Sequence, residues 1–442
     1  MELCTCAERL KDYFARLYIV NYIDRMDLTL ENIGCAKDNM KSPIHNWYKF
    51  TAGFSYKFVE EILKDVPKDA IIYEPFAGCG TTLVSAQKCG YMAIGNEGQE
   101  LMYDICRAKL NWSVEQSKVK EHLEQIESIL SEGIQTYDVS AENTLLQELY
   151  DSYNLKVLCL IRNYILKIAD NTYQLFFKLA LSNVLHKTAI YPIAVPYISR
   201  NKRLMNNGQP YEKFKTTCLN MVNDINLQSR SFTKAVVYLH DSREINNSID
   251  SDTCSLCITS PPYLNNLDYG EVSKVHTHFW GITNSWNDIT QKVRSQLVTG
   301  ATTHYKDAEF DIDDFMQTDF ALHNENIVPE LTRMYEEIKK NAKERAGKKS
   351  FHILMMHYFD DMYRVLLEMR RVLRAQSKAY LILGDSAPYG VYVPTTQILG
   401  EIALSAGFDE YAIYKIRSRG TKWKSLSNRH NIELSENILV LS

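Results

Sequence analysis

The chain has 442 residues, of which 45% are hydrophobic and 24% charged, with a net charge of −4 and a mean hydropathy of −0.28. That length allows two or three structural units, or one large domain carrying insertions, and the charge balance argues against a protein that coats nucleic acid without regard to sequence. No apolar run approaches the ~18 residues needed to span a bilayer. The opening MELCTCAERL lacks the basic and apolar regions of a secretory signal, so a cytoplasmic protein is expected.

Ten cysteines at irregular spacings, many inside apolar runs, read as reduced thiols. Cys254 and Cys257 form a lone CxxC with no second ligand pair at zinc-finger spacing, so no metal is expected. In chain order, DAIIYEPFAGCGTTLVSAQKCGYMAIGNEGQE, from Asp69, reads as strand, tight turn, helix and second strand. Ile71 to Tyr73 are β-prone, Gly78 and Gly80 permit the turn, Thr81 to Lys88 can form a helix, and the strand Tyr91 to Gly95 delivers Glu97 just past its end. From about Asn111 to Arg230 the periodicity becomes helical, broken by a proline- and asparagine-containing stretch between Tyr191 and Gln209.

Strand patterns resume at KAVVYLHDSRE, which ends at His240 and Asp241, and at DTCSLCITSPPY. Pro261 and Pro262 have no backbone N–H and fixed φ, so no central strand continues through them. The result is a rigid elbow that aims Tyr263 in one direction. Asn284 to Lys349 is polar and irregular, with a helix expected around Pro329 to Arg345. A long amphipathic helix from His352 then leads into the strand AYLILGD, a helix from Thr395, and two β-prone runs, YAIYKI and NILVLS, that suit an edge hairpin. The alternation defines an α/β protein with two insertions.

A glycine turn between strand and helix can bind phosphate on its backbone N–H groups, but PFAGCGTT has neither GxGxxG spacing nor a Gly-Lys-Ser/Thr. Such a turn can also let the backbone approach the carboxylate and sulfonium end of S-adenosylmethionine. Glu97 lies nineteen positions after Gly78, near the ~20 expected of a ribose ligand in either cofactor class.

Taken with Ser260-Pro261-Pro262-Tyr263, the loop Phe76-Ala77-Gly78-Cys79-Gly80 resembles the hallmark pair of the amino-group DNA methyltransferases. These enzymes use S-adenosylmethionine to methylate the exocyclic nitrogen of cytosine or adenine. The segment WYKFTAGFSYKFVEEIL, from Trp47, is similar to the one that closes over the cofactor's methionine part, with Phe54 at the matching aromatic position. The resemblance implies a doubly wound, mostly parallel, Rossmann-like sheet. In it, residues 1–110 and 231–442 form a discontinuous catalytic domain. The resemblance does not extend to two insertions read from periodicity: residues 111–230, helical and a candidate for target recognition, and 283–350, a candidate for DNA contact, with the basic run near the C-terminus a third candidate for recognition. It assigns Phe54, Pro75, Phe76, Gly78, Gly80, Thr81, Thr82, Glu97 and Asp241 to the cofactor, with Asp241 at its adenine.

The same resemblance makes Ser260, Pro261, Pro262 and Tyr263 catalytic. The family associates SPP with cytosine N4 and DPP or NPP with adenine N6, so Ser260 implies cytosine. An exocyclic amine is a poor nucleophile because its lone pair is delocalised into the ring. The serine hydroxyl and the Pro261 carbonyl can accept its two hydrogens and localise that pair, so catalysis rests on positioning and electrostatics. The target base must be flipped out of duplex DNA, and Tyr263 offers it a π-face. Tyr269, Phe279 and Trp280 suit either contact with the flipped base or core packing, and Asp268 and Asp385 suit either the pocket or helix caps. Between Tyr411 and Asn431 the chain carries six basic residues and no acidic one, and Arg417, Arg419, Lys422 and Lys424 are expected to face DNA phosphates. A cognate restriction endonuclease or defence partner fits such an enzyme. Adenine methylation, RNA or protein amide methylation by the same elbow, and an inactive DNA-binding subunit are the competing expectations.

Overall fold

The computed structural model describes residues 33–50, 53–194, 197–205, 207–228, 234–265, 267–304, 310–344, 349–419 and 432–442. The strands in chain order are β1 Ile71–Glu74, β2 Met92–Glu97, β3 Ile193–Ala194, β4 Tyr197–Ile198, β5 Val236–Leu239, β6 Cys254–Thr259, β7 Leu373–Gly384, β8 Tyr411–Arg419 and β9 Leu434–Leu441. Seven of them form one sheet in the order β5-β2-β1-β6-β7-β9-β8. The first five run parallel, while β9 enters between β7 and β8 and is antiparallel to both. The closing hairpin is therefore present, with β8 at the sheet edge. This is the doubly wound, mostly parallel sheet of a Rossmann-like methyltransferase fold.

Strand alternation divides the interior into two layers, because successive side chains point to opposite faces. Ile72, Leu256, Ile258, Tyr380, Ile382 and Ile438 join the cluster on one face. Tyr73, Cys257, Leu381, Leu383, Leu439 and Leu441 join the cluster on the other. Helices Thr81–Lys88 and Glu100–Leu110 cover the first face, and Phe351–Val372 and Thr395–Ser405 cover the second. Helix Phe351–Val372 buries fourteen of its residues, which explains the apolar density that marks it in the sequence. Cys254 and Cys257 are buried thiols of β6.

Residues 111–230 contribute helices Gln116–Gly133, Thr144–Leu149, Ser152–Ile165, Asn171–Thr188 and Pro210–Asn226, which extend the first cluster. The stretch with proline and asparagine between them carries the small antiparallel β3–β4 hairpin, which periodicity did not indicate. Phe279 and Trp280 pack into the same cluster, with the Trp280 indole N–H donating to Ser182 Oγ at 2.9 Å.

The polar segment after the elbow is more ordered than its composition suggests. It holds helices Trp286–Lys292, Ile312–Phe315, Asp319–His323 and Val328–Glu344. Arg294 anchors it: its side chain is 1% exposed, pairs with Asp268 at 2.6 Å and lies 4.3 Å from the centre of the Trp286 ring. Asp268 also caps helix Tyr269–Phe279 by accepting from Glu271 N–H. Burial would raise its carboxyl, but the hydrogen bonds from Arg294 and Thr303 hold it below the usual carboxylate range. No helix among the described residues is long and apolar enough to cross a membrane.

Candidate active site

A cleft opens over the carboxyl ends of β1, β2, β5 and β6, where an open α/β sheet gathers its ligands. Pro75, Phe76, Gly78, Glu97, Asp241, Ser260 and Pro262 line it together. Residues separated by up to 187 positions in the chain thus meet because their strands are neighbours.

The glycine loop begins with Glu74, the last residue of β1. Its buried carboxylate accepts from Phe76 N–H at 2.9 Å, from Thr82 Oγ1 at 2.8 Å and from Thr259 Oγ1. Burial lifts this carboxyl to about 8, against the opposing pull of those hydrogen bonds. Glu74 therefore ties the loop to the strand that carries the elbow. Gly78 and Gly80 have φ of +52° and +86°, backbone that disfavours other residues. At Gly80 a Cβ would also press on Cys106 Sγ at 2.9 Å, so this glycine packs the loop onto the next helix rather than lining the cleft.

Thr82 is 1% exposed and turns inward, its hydroxyl within 3.0 Å of the Ile258 carbonyl as well as on Glu74. Thr81 is buried at the helix start. Phe54 packs edge-to-face on Phe58, with ring centres 6.2 Å apart. It is Phe50, four residues earlier, that lines the cleft, near-parallel to Tyr269 with 6.5 Å between their ring centres. The sequence contained both aromatics, and only packing distinguishes them.

Glu97 closes β2 with its carboxylate between two backbone donors, Gly78 N–H at 2.7 Å and Gln99 N–H at 2.8 Å. Burial raises it to about 7, against those two hydrogen bonds. Each carboxylate oxygen retains lone-pair capacity for a further donor, such as a ribose hydroxyl. Asp241 meets Arg243 in a fork, with Nη2 to Oδ2 at 2.6 Å and Nε to Oδ1 at 3.0 Å. Arg243 reaches on to Asp361 and to the Ser295 carbonyl. Asp361 in turn accepts from Thr299 N–H and Oγ1, both at 2.8 Å.

This network explains what sequence reasoning missed: Gln296, Leu297 and Val298, from the segment read as irregular, form a wall of the cleft. They come so close to Gly98 that a Cβ there would collide with the Gln296 carbonyl. Gly98 was the only local signal, and it says nothing about its distant partner.

At the elbow, Ser260 donates its hydroxyl hydrogen to the Ile382 carbonyl of β7 at 3.0 Å. Tyr358 donates to the Pro262 carbonyl at 3.0 Å. Among the described residues the Pro261 carbonyl accepts no backbone hydrogen bond in turns or loops. Tyr263 stands beside the cleft lining, donating its hydroxyl to Glu436 at 3.0 Å, while Asp385 is held by Tyr392, Thr396 and Ser435.

The basic run is partly neutralised by the strand paired with it. Arg417 forms an ion pair with Glu436, and Lys415 lies 3.4 Å from Glu433. Arg419 lies over the Tyr263 ring. Lys422 and Lys424 lie outside the described residues.

No family model matches the chain. It is similar to the type II methyltransferase M.AvaI of Nostoc sp. (strain PCC 7120 / SAG 25.82 / UTEX 2576), with 22% identity over 84% of this chain and 80% of the relative. A protein of the same name from Anabaena variabilis gives the same figures. The type II methyltransferase M.BsoBI of Geobacillus stearothermophilus is 20% identical over 98% of this chain and 91% of its own. The chain is thus a distant homologue of type II DNA methyltransferases, consistent with the amino-group resemblance carried by its two loops. Type II DNA methyltransferases take their methyl group from S-adenosylmethionine.

Proposed function

We propose that the protein is a site-specific DNA methyltransferase that moves a methyl group from S-adenosylmethionine to the N4 amine of a cytosine flipped out of the duplex. The observation that carries this reading is the elbow. With its proton held on the Ile382 carbonyl, the Ser260 hydroxyl can meet an amine only as an acceptor, and the Pro261 carbonyl is a second acceptor one residue away. Two acceptors suit an amine with two hydrogens. Tyr263 supplies the stacking surface, and the amine's surplus proton leaves to solvent.

The chain's own residues fit the cofactor. Gly78 leaves room for close approach beneath Phe50, Glu97 offers a carboxylate for the ribose hydroxyls, and Asp241, which lines the cleft with Phe76 and Ser242, would hold the adenine. When bound there, S-adenosylmethionine supplies an electrophilic methyl group. In this reading residues 1–110 and 231–442 are the catalytic domain and 111–230 the target-recognition insertion. Residues 283–350 add the cleft wall and a DNA contact. The setting is a cytoplasmic restriction-modification or defence system with a nuclease partner.

Mass spectrometry of nucleosides from DNA incubated with protein and cofactor tests the reading. N4-methylcytosine is expected. N6-methyladenine in its place would overturn the cytosine assignment, and no methylated nucleoside would favour an inactive DNA-binding subunit.

Glu97 gives a pH-dependent prediction. Ribose hydroxyls donate hydrogen bonds and so need the ionised carboxylate, which a proton removes as pH falls through about 7. Cofactor affinity should be flat above that pH and weaken below it, with a limiting slope of about tenfold per pH unit. Glu97→Gln should bind more weakly at pH 8 by about 1.5–3 kcal/mol, the range for a hydrogen bond to a charged group, and should lose the pH dependence. Calorimetry between pH 6 and 8 checks both, and equal affinity in the variant would remove Glu97 from the cofactor site.

A further inference from the structure

The face of Tyr263 is already occupied. Its hydroxyl is fixed on Glu436 and its ring packs against the second hydrophobic cluster. The Arg419 guanidinium lies over the ring, 5.0 Å from its centre. Gly384, at the end of β7, makes room for that arrangement, since a Cβ there would collide with Arg419 Nη1. Arg417, two residues earlier on β8, has a carboxylate partner in Glu436; Arg419 has no ion pair among the described residues. A planar cation laid on an aromatic ring, with no carboxylate partner among the described residues, imitates the shape of a stacked base and remains available to an anion.

We propose that Arg419 is a placeholder for the target base: it covers the stacking face of Tyr263 in the DNA-free protein, and the arriving base displaces it onto a strand phosphate. This rests on the reading of Tyr263 as the stacking residue. Displacement costs the cation–ring contact, and a bidentate contact with a phosphate offsets that cost. The site then favours a base embedded in a strand over a free nucleoside, which brings the ring but no neighbouring phosphate. Arg419 is thus a positioning residue that couples base capture to the backbone.

The test uses the full chain and a duplex with 2-aminopurine at the target position, the recognition site having been found by sequencing methylated DNA. At saturating duplex, Arg419→Met keeps a long apolar stem without the competing cation. It should raise the flipped fraction, read as 2-aminopurine fluorescence, by roughly two- to five-fold, the weight of one exposed cation–ring contact. The same variant should bind duplex more weakly, with a salt slope shallower by about one. Arg419→Lys, which retains charge but stacks poorly, should restore the slope and raise the flipped fraction less. A purely structural role predicts reduced binding and a flipped fraction that is unchanged or lower, and that result overturns the proposal. If Arg419→Met shows it while wild-type protein methylates DNA, only the placeholder falls. If wild-type protein yields no methylated nucleoside, the reading of Tyr263 falls and takes the placeholder with it.

Discussion

Methylation by a Ser260→Ala variant is expected to fall by a factor on the order of 10², the usual effect of deleting one polar group aimed at a reacting centre, while duplex affinity changes little. The hydroxyl is an ideal acceptor because its own hydrogen is engaged by the Ile382 carbonyl. Alanine removes the acceptor but leaves both prolines and Tyr263 in place. Tyr263→Ala should fail differently. It removes the stacking surface, worth roughly 1–3 kcal/mol, and so weakens base capture as well as turnover. Tyr263→Phe separates the ring from the hydroxyl held by Glu436, and should behave far more like wild type than the alanine variant. Single-turnover rates together with duplex titrations distinguish these cases. Full activity in both truncations would mean that the elbow does not do the chemistry.

The largest expected loss of stability lies at Arg294. Its guanidinium and the Asp268 carboxylate are buried together, with side-chain exposures of 1% and 8%. Arg294→Met removes one charge and leaves the other in the interior, a situation that typically costs about 3–5 kcal/mol. The double variant Arg294→Met with Asp268→Asn should recover much of that loss, since no unpaired charge remains. Thermal unfolding of the four proteins in the cycle measures the coupling. The single variant should also bind cofactor more weakly where it remains folded, because Gln296, Leu297 and Val298, just after Arg294, are a wall of the cleft. Unchanged cofactor affinity would show that the wall stands without its anchor.

The sheet was legible in the sequence wherever local chemistry dictates structure. The helix expected over Thr81 to Lys88 appears with those bounds, set by a left-handed glycine on one side and Cys89-Gly90 on the other. The long helix, expected from His352, runs over Phe351–Val372. β7 begins six residues before the apolar AYLILGD, through Leu373 to Lys378, because pairing with β6 and not side-chain pattern holds its start. In the cleft, Gly78, Glu97, Asp241 and Ser260 were visible because each lies at the end of a strand or within a few residues after it. Residues 294–298 were not: their place depends on a buried arginine, on Asp361 some 60 positions later and on Gly98 some 200 earlier, and no window of sequence contains all three. Part of the charge balance of the basic run was hidden for a related reason. The carboxylates that pair with Lys415 and Arg417 are Glu433, just before β9, and Glu436 on it, both beyond the run of basic residues itself.

The place of β9 between β7 and β8 has a consequence for how the protein is made. Strand β7 is complete at Gly384, yet the neighbour that satisfies its outer edge begins at Leu434, fifty residues later. At the usual pace of about 5–20 residues per second, the ribosome leaves that edge unpaired for roughly 3–10 s. Strand β8 emerges in the interval, but it bonds only to β9 and cannot cover the edge. The nascent chain therefore carries a row of free backbone groups beside Tyr380, Leu381, Ile382 and Leu383, a surface that invites pairing with another chain. Strand β9 seals that edge of the sheet, and the same event brings Glu436 to Tyr263.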